Sequence, residues 1–431
     1  MSNLGPLEAG IIAAHNAKHR QNVEDDYHAL GHQLARRNID IDTVKHRVAK
    51  FAVAVPSWAT AVGGTRFGRF PIAGEPTNVH ERLTDCALVH QLSRATPTVA
   101  THFPWDITSD YAALRQEAAA LGVSFDAVNS NTFQDQPGQA ESYKYGSLSA
   151  VDAKVRDQAI EHNLDCIRIG KELGSKALSI WVGDGTNFPG QQSFRGSLER
   201  YIDSAQTIYK ALPSDWRVLI EHKFFEPSFY STVISDWGVN FLVAKELGPQ
   251  AQCLVDLGHH APNANIEQIV AMMHKFGKLG GFHFNDSKYG DDDLDAGAIN
   301  PHQLFLIFNE LIEAELTDPK SFDPAYMIDE SHNLTDPVES LLAATEAIVG
   351  GFARALLVDR DALQAARQSN DVMLAFRTLR QAYNVDVTPL LAKARLDNDG
   401  AADPITALRD SGWRAAMAKE RRPSTVSGGI I

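Results

Sequence analysis

The sequence has few cysteines and no long apolar run. Its three cysteines, Cys86, Cys166 and Cys253, lie far apart and form no C-x-x-C pair. Because disulfide frameworks and zinc ribbons need recurring, closely spaced cysteines, both are excluded and a reducing cytoplasm is expected. No segment reaches about 18 consecutive apolar residues, and the N-terminus lacks the basic and then apolar pattern of a signal peptide. We therefore expect neither membrane spanning nor export.

Basic charge is also scarce. Lys and Arg number 40 against 54 Asp and Glu, which gives the 431-residue chain a formal net charge of −14. Nucleic-acid binding normally depends on a concentrated basic surface, so a nucleic-acid partner is not expected. Metal ions and small neutral or cationic substrates suit this acidic chain better.

What the chain does have is a regular alternation of apolar runs and amphipathic segments. Helical patterns separate consecutive runs, and several of them end on glycine. Eight runs have the character of buried parallel strands and begin at Lys50, Thr96, Phe125, Lys176, Arg217, Gln252, Leu279 and Ala325. This alternation predicts an α/β fold, a (β/α)8 TIM barrel, over residues 49–355. Residues 1–48 and 356–431 are predicted to be helical extensions, the second of them in oligomer contacts.

Polar or aromatic residues follow the predicted strands, at the edge where a barrel of this type has its active site. In the last four runs an acid or a histidine directly follows apolar residues, at Glu221, Asp256, His283 and Asp329. Three carboxylates would repel one another in a low dielectric, whereas a divalent cation would use every one as a ligand. Oxygen ligands with one imidazole favour Mn²⁺, Mg²⁺ or Co²⁺, and Zn²⁺ stays open.

The stretch GDDDLD after His283 supplies a second group of candidate ligands. Asp291 and Asp293 are two residues apart, and His259 follows Asp256 by three. Together they could hold a second cation that shares Asp256, a two-metal geometry that clamps two substrate oxygens. Taken alone, the acidic stretch is more typical of a solvated turn or a helix N-cap, but its position beside His283 favours the metal site.

Further candidates surround these ligands. Lys223 follows Glu221 by two residues, so it can lie on the same face and either balance charge or donate to a developing oxyanion. His102 and Asp106 could form an acid and base pair, or be a structural histidine and a capping aspartate. The aromatic residues that could line a sugar pocket, or only pack in the core, are Trp58, Phe67, Trp105, Phe133 and Trp181.

These motifs resemble those of the metal-dependent sugar isomerases of the xylose isomerase-like barrel superfamily. Stretches such as PSWATAVGGTRFGRFP, CLVDLGHHAPN and GGFHFNDSKYGDDDLDAGAI are similar to bacterial L-rhamnose isomerases of broad aldose–ketose specificity, and the resemblance covers nearly the whole chain. It implies a homotetramer that uses Mn²⁺, two ions per subunit, with Co²⁺, Mg²⁺ or Zn²⁺ as alternatives. The implied first metal site consists of Glu221, Asp256, His283 and Asp329. The implied second site consists of His259, Asp291 and Asp293, with Asp256 shared.

The resemblance also implies a reaction, the reversible isomerisation of L-rhamnose to L-rhamnulose, with other aldoses as poorer substrates. Lys223, Asp329 and His102 are the implied catalytic residues. The route is a metal-mediated hydride shift, and an enediol route with a carboxylate such as Asp329 as base stays open. The stretch GGTRFGRF, which contains Phe67, matches a family loop that reaches a neighbouring subunit's active site.

The chain departs from the xylose isomerases proper at two positions. Those enzymes have Glu where this chain has Asp256, and an acid where it has His283. Both departures argue against D-xylose as the best substrate. Alternative functions of the same barrel are a ketose 3-epimerase and a metal-dependent nuclease, which the acidic charge disfavours. A non-catalytic sugar-binding protein is the alternative from a different class.

Overall fold

The centre of the fold is a sheet of eight parallel strands, seen in a computed structural model that describes residues 6–63 and 69–422. The strands are β1 (Val55–Pro56), β2 (Thr98–Phe103), β3 (Ser124–Asn131), β4 (Ala177–Trp181), β5 (Arg217–Glu221), β6 (Ala251–Asp256), β7 (Leu279–Phe284) and β8 (Ala325–Ile328). Each strand pairs with the next in chain order. Ala54, just before β1, pairs in parallel with Met327 of β8, so the sheet closes on itself. The predicted (β/α)8 barrel is confirmed.

Helices surround the barrel and continue beyond it at both ends of the chain. They are α1 (Ala9–Ala35), α2 (Ile41–Ala49), α3 (Val79–Ser93), α4 (Tyr111–Ala120), α5 (Ala153–Leu173), α6 (Phe194–Lys210), α7 (Trp237–Leu247), α8 (Ile266–Lys275), α9 (Pro301–Thr317), α10 (Pro337–Leu356), α11 (Arg360–Gln368), α12 (Val372–Tyr383), α13 (Thr388–Asp397), α14 (Pro404–Ser411) and α15 (Trp413–Glu420). A short antiparallel pair, Gly185–Thr186 with Ser231–Thr232, lies among the loops after β4 and β5.

Local sequence signals account for many element boundaries. The Asp110, Asp152 and Asp236 side chains each accept a backbone N–H from the first turn of the helix that they precede. Such caps satisfy donors that would otherwise be unpaired at a helix start. α5 ends at Leu173 and is capped by Gly174, whose φ of 87° suits a residue without Cβ.

Small and apolar side chains fill the inside of the barrel below the candidate ligands. This inner cluster consists of Ala54, Ala100, Ala127, Ala177, Leu219, Leu254 and Met327, all buried. Gly280 belongs to the same tight region, because a Cβ there would stand 2.6 Å from the Cβ of Gln252 on β6. The polar residues at the strand ends therefore rest on a packed apolar floor.

The two terminal extensions pack on each other. Lys393 of α13 lies 2.7 Å from Glu24 of α1, and the Asn16 side-chain amide donates to the Gly400 carbonyl at 2.8 Å. Among the described residues, no single helix is long and apolar enough to cross a membrane; α10 and α11, joined at a 64° bend, pass that test only as a pair.

Candidate active site

Four side chains meet where β5 to β8 end. Glu221, Asp256, His283 and Asp329 each offer a ligand atom, and these atoms all lie within 4.8 Å of one another. His283 Nδ1 lies 3.1 Å from Glu221 Oε1, 3.3 Å from Asp329 Oδ2 and 3.8 Å from Asp256 Oδ2. The strand pairing explains this meeting, because Asp256 and His283 are register partners on neighbouring strands. Spacing in the sequence placed each residue at a strand end, and barrel closure brings the ends together.

The three residues of the second predicted group lie beside this cluster. His259 Nε2 is 2.7 Å from Asp291 Oδ1 and 3.9 Å from Asp256 Oδ1. Asp293 accepts the Ser331 hydroxyl at 3.1 Å and lines the same cavity. Asp291 and Asp293 have φ values of 51° and 50°, a left-handed backbone that aspartate tolerates better than most residues. The acidic stretch is thus a tight turn that folds back over the strand ends.

Several carboxylates of the cluster lie so close together that burial and mutual repulsion raise the pKa values of two of them. Burial raises the pKa of Asp329 to about 7, since it outweighs the opposing effect of His283 and is reinforced by Asp256. Burial and the neighbouring Asp291 raise the pKa of Asp293 well above its ordinary value. Burial lowers the pKa of His283, but the carboxylates of Glu221, Asp329 and Asp256 together outweigh burial and raise this pKa to about 9. The raised pKa values mean that Asp329, Asp293 and His283 retain protons that offset the negative charge of the cluster. A divalent cation would supply this positive charge instead, so this set of ligand atoms fits such an ion.

Lys223 is placed between two carboxylates at the edge of the cluster. Its Nζ lies 2.5 Å from Asp291 Oδ2 and 3.2 Å from Glu226 Oε2. Burial lowers the pKa of this ammonium, but the opposite effect of Asp291 and Asp293 is larger. The net result is a pKa above the ordinary value of lysine. Lys223 Nζ also lies 4.8 Å from the centroid of the Trp181 ring, within cation–π range.

The cluster opens into a cavity of about 430 Å³ with an aromatic wall. The His102 and Trp105 rings stack at 3.9 Å between centroids, and the Phe133 and Trp181 rings lie 4.4 Å apart. Trp58 joins this wall to the cluster, because its Nε1 donates to Asp329 Oδ1 at 3.2 Å. Of the predicted aromatic residues, Phe67 lies outside the described residues.

Of the two alternatives for His102 and Asp106, an acid and base pair or a structural histidine with a capping aspartate, the structure matches the second. Asp106 follows in the same turn, and its carboxylate accepts the backbone N–H of His102 at 2.8 Å, not a ring nitrogen. It also accepts the Ser57 hydroxyl and, at 3.1 Å, the Arg82 guanidinium. The His102 ring is buried against Trp105, and burial lowers its pKa to about 3. His102 is therefore neutral, and Asp106 holds the backbone around it.

Two contacts in the site, those of Glu226 and Asn285, could not be predicted from the sequence. Glu226 lines the cavity beside Lys223, but it lies five residues beyond the end of β5 and belongs to no recognisable motif. Asn285 follows His283 by two residues, which marks it as a strand-end residue without indicating a partner. Its amide nitrogen lies 3.0 and 3.1 Å from the two carboxylate oxygens of Asp256.

Solved structures with the same fold include an L-ribulose 3-epimerase and a xylose isomerase domain protein from Alicyclobacillus acidocaldarius. The first is 15% identical with a TM-score of 0.52, over 75% of this chain and 98% of that one. The second is 13% identical with a TM-score of 0.50, over 71% of this chain and 99% of that one. At such low identity these likenesses show the fold alone.

Two curated relatives match almost the full chain, whereas no family model matches it. One, from Rhizobium meliloti (strain 1021), is 58% identical over 423 residues, which is 98% of each chain. The other, from Mesorhizobium japonicum, is 55% identical over 426 residues, which is 99% of each chain. Both are named "Probable sugar isomerase". At this identity and coverage, the chain belongs to the same protein family as these two named sugar isomerases.

Proposed function

We propose that this protein is a metal-dependent aldose–ketose isomerase that interconverts L-rhamnose and L-rhamnulose. The observation that carries the proposal is the cluster of Glu221, Asp256, His283 and Asp329 beside Lys223, at the base of an aromatic-walled cavity. The name shared by the two relatives supports a sugar isomerase. The choice of L-rhamnose, with broad specificity for other aldoses, rests on the resemblance of the sequence motifs.

We propose two divalent cations per subunit, with Mn²⁺ preferred over Co²⁺, Mg²⁺ or Zn²⁺; the convergence of Glu221, Asp256, His283 and Asp329 supports the first. Glu221, Asp256, His283 and Asp329 would hold the first, and His259, Asp291 and Asp293 would hold the second together with Asp256. When bound, such cations supply Lewis-acid polarisation of sugar oxygens.

The side chains of the cavity would bind and orient the sugar. Trp105 and Trp181 offer flat apolar faces that suit the C–H face of a sugar and exclude water. Lys223 would donate a hydrogen bond to the sugar's C1 oxygen, whose negative charge grows during the reaction. His102, which is neutral and lines the cavity, would accept a hydrogen bond from a sugar hydroxyl through its ring.

For the chemical step we propose a hydride shift. The C2 hydrogen moves with its electron pair to C1, while the O2 proton is lost and a proton is gained at O1. The alternative is an enediol route, in which a carboxylate such as Asp329 removes the C2 proton. Asp329 lines the cavity, which also fits a role as the base of the enediol route. An isotope experiment distinguishes the two routes.

The test uses L-rhamnose deuterated at C2, the Mn²⁺-loaded protein and NMR of the products. We expect L-rhamnulose that carries deuterium at C1, which would support both the isomerase and the hydride shift. Deuterium lost to water would keep the isomerase and replace the hydride shift by the enediol. If no aldose tested gives a ketose but a ketose is epimerised at C3, the isomerase proposal fails in favour of the 3-epimerase.

We also propose a cytoplasmic homotetramer built from three segments, the barrel of residues 49–355 and the extensions of residues 1–48 and 356–431. These proposals rest on the resemblance and on the helical patterns. Light scattering during size-exclusion chromatography tests the oligomer, because four chains of 47.2 kDa differ clearly in mass from one or two.

A further inference from the structure

A buried amide lies beside the carboxylate that the two proposed metal sites share. Asn285 is 2% exposed and Asp256 is fully buried. The Asn285 amide nitrogen donates to Asp256 Oδ1 at 3.0 Å and to Oδ2 at 3.1 Å. The backbone N–H of Gly258 adds a third donor, 2.8 Å from Oδ1. Both oxygens of Asp256 are thus held from the protein side.

The surroundings permit one orientation of this amide. If it were turned over, the amide oxygen would face two carboxylate oxygens, which repel it. In the orientation present, Asn285 Oδ1 has no hydrogen-bond partner among the described residues. Gly258 leaves room for this arrangement, because a Cβ there would stand 3.2 Å from Asn285 Oδ1 and 3.4 Å from Asp256 Oδ1.

The chemistry of an amide suits this place better than a charged donor would. A lysine or arginine would compete with a cation for Asp256, and an aspartate would add one more carboxylate to a crowded cluster. A neutral donor orients the carboxylate and leaves its charge available. Groups that orient a metal ligand typically change metal affinity or activity about 10–100-fold when removed.

We infer that Asn285 is a positioning residue that fixes the Asp256 carboxylate and thereby sets the affinity for divalent cations. Its amide holds the plane of the carboxylate, so that each oxygen can face one of the two cation positions. The inference rests on the metal part of the proposed function and is independent of which sugar is converted.

The test is a Mn²⁺ titration of the full-length protein, with free Mn²⁺ followed by its electron paramagnetic resonance signal. The variant Asn285→Leu keeps the side-chain size and removes both donors. We expect its Mn²⁺ affinity to fall about 10–100-fold, with an unchanged circular dichroism spectrum. The matched control is Asn163→Leu; Asn163 is a buried residue of α5 whose amide donates to the Ala159 carbonyl at 2.9 Å. This control is expected to bind Mn²⁺ as tightly as the wild type.

Each result has a definite meaning. Mn²⁺ affinity in Asn285→Leu within twofold of the wild type overturns the inference and leaves the proposed function standing. Wild-type protein that binds no Mn²⁺ overturns both. If Asn285→Leu does not fold, Asn285→Ala is titrated instead, and the same threshold decides. A weakened affinity in both Asn285→Leu and Asn163→Leu would show a general loss of structure and would also overturn the inference.

Discussion

At the scale of single residues, Asp291 joins a predicted metal ligand to the lysine of the site. It contacts His259 Nε2 at 2.7 Å and Lys223 Nζ at 2.5 Å. We expect Asp291→Asn to lower turnover of L-rhamnose about 100-fold, because the amide gives neither a charged metal ligand nor an ion pair for Lys223. Initial rates at saturating Mn²⁺ measure this.

The neighbour of Asp291 provides the control. Asp292 accepts the backbone N–H groups of Lys288 and Tyr289 at 2.6 and 2.7 Å, contacts that an asparagine oxygen can also accept. Asp292→Asn should therefore keep its activity within a few-fold of the wild type. Equal activity of the Asp291 and Asp292 variants would contradict the role of Asp291, and full activity after metal depletion would contradict the two-metal scheme.

Asp106 is a second residue for which an effect on folding and sugar binding can be separated from an effect on the chemical step. It forms a buried ion pair with Arg82, whose side chain is 4% exposed, and it holds Ser57 and the His102 backbone beside the aromatic wall. Breaking one partner of a buried pair typically costs about 3–5 kcal/mol of folding free energy. We expect Asp106→Asn to lose stability in urea unfolding and, in the folded fraction, to raise KM for the sugar more than it lowers kcat.

The surface pair of Lys176 and Asp215, 3.1 Å apart, is the matched control for Asp106. Asp215 is exposed, so Asp215→Asn should leave both the urea midpoint and KM at wild-type values. A larger fall in kcat than rise in KM for Asp106→Asn would instead place Asp106 in the chemical step.

At the scale of elements, the last helix is attached to the segment that follows the loop after β1. Arg414 and Arg421 both donate to the Gly74 carbonyl, at 2.7 and 3.0 Å. Arg421 also forms a buried pair with Asp85 of α3. The backbone of α15 lies so close that a Cβ on Gly74 would be 2.5 Å from the Ala418 nitrogen.

Two glycines with nearly the same positive φ allow this contact to be tested. Gly74 has φ of 79° and Gly138 has φ of 81°, but no atom of the described residues beyond its chain neighbours lies within 4 Å of a Cβ on Gly138. Both Gly→Ala changes should cost about 1–2 kcal/mol for the left-handed backbone. Only Gly74→Ala must also displace α15, so we expect a clearly lower melting temperature than for Gly138→Ala. Equal melting temperatures would show that α15 can move away from residue 74 without a loss of stability.

The elements were predictable where a local pattern determines them, and the contacts between distant elements were not. β7 could be recognised because LGGFHF is a continuous buried run, and its position after six similar runs indicated the barrel. The cluster at the strand ends followed from that topology. The pairing of Asp106 with Arg82 and of α1 with α13 depends on side chains 24 to several hundred residues apart, which no periodicity encodes.

At the scale of the whole molecule, the cluster of carboxylates makes stability depend on cations. The apolar core is continuous through the barrel and the terminal helices, so the protein is expected to remain folded in a chelator. Five carboxylates, three of them buried and two half-buried, lie close together and oppose folding until a cation neutralises them. A cation that is bound only to the folded state adds stability by mass action. We expect about 2.7 kcal/mol at a free Mn²⁺ concentration of 100 times Kd.

Melting curves across a Mn²⁺ series in buffered chelator measure this linkage. The melting temperature of the wild type should rise with the logarithm of free Mn²⁺, and that of Asp256→Asn should stay nearly constant, because the shared ligand is lost. Ca²⁺ at the same concentrations distinguishes a specific site from charge screening, since screening would raise both variants alike. A wild-type melting temperature that does not change with Mn²⁺ would mean that the retained protons already neutralise the carboxylates. That result would contradict the proposal of a metal-dependent isomerase.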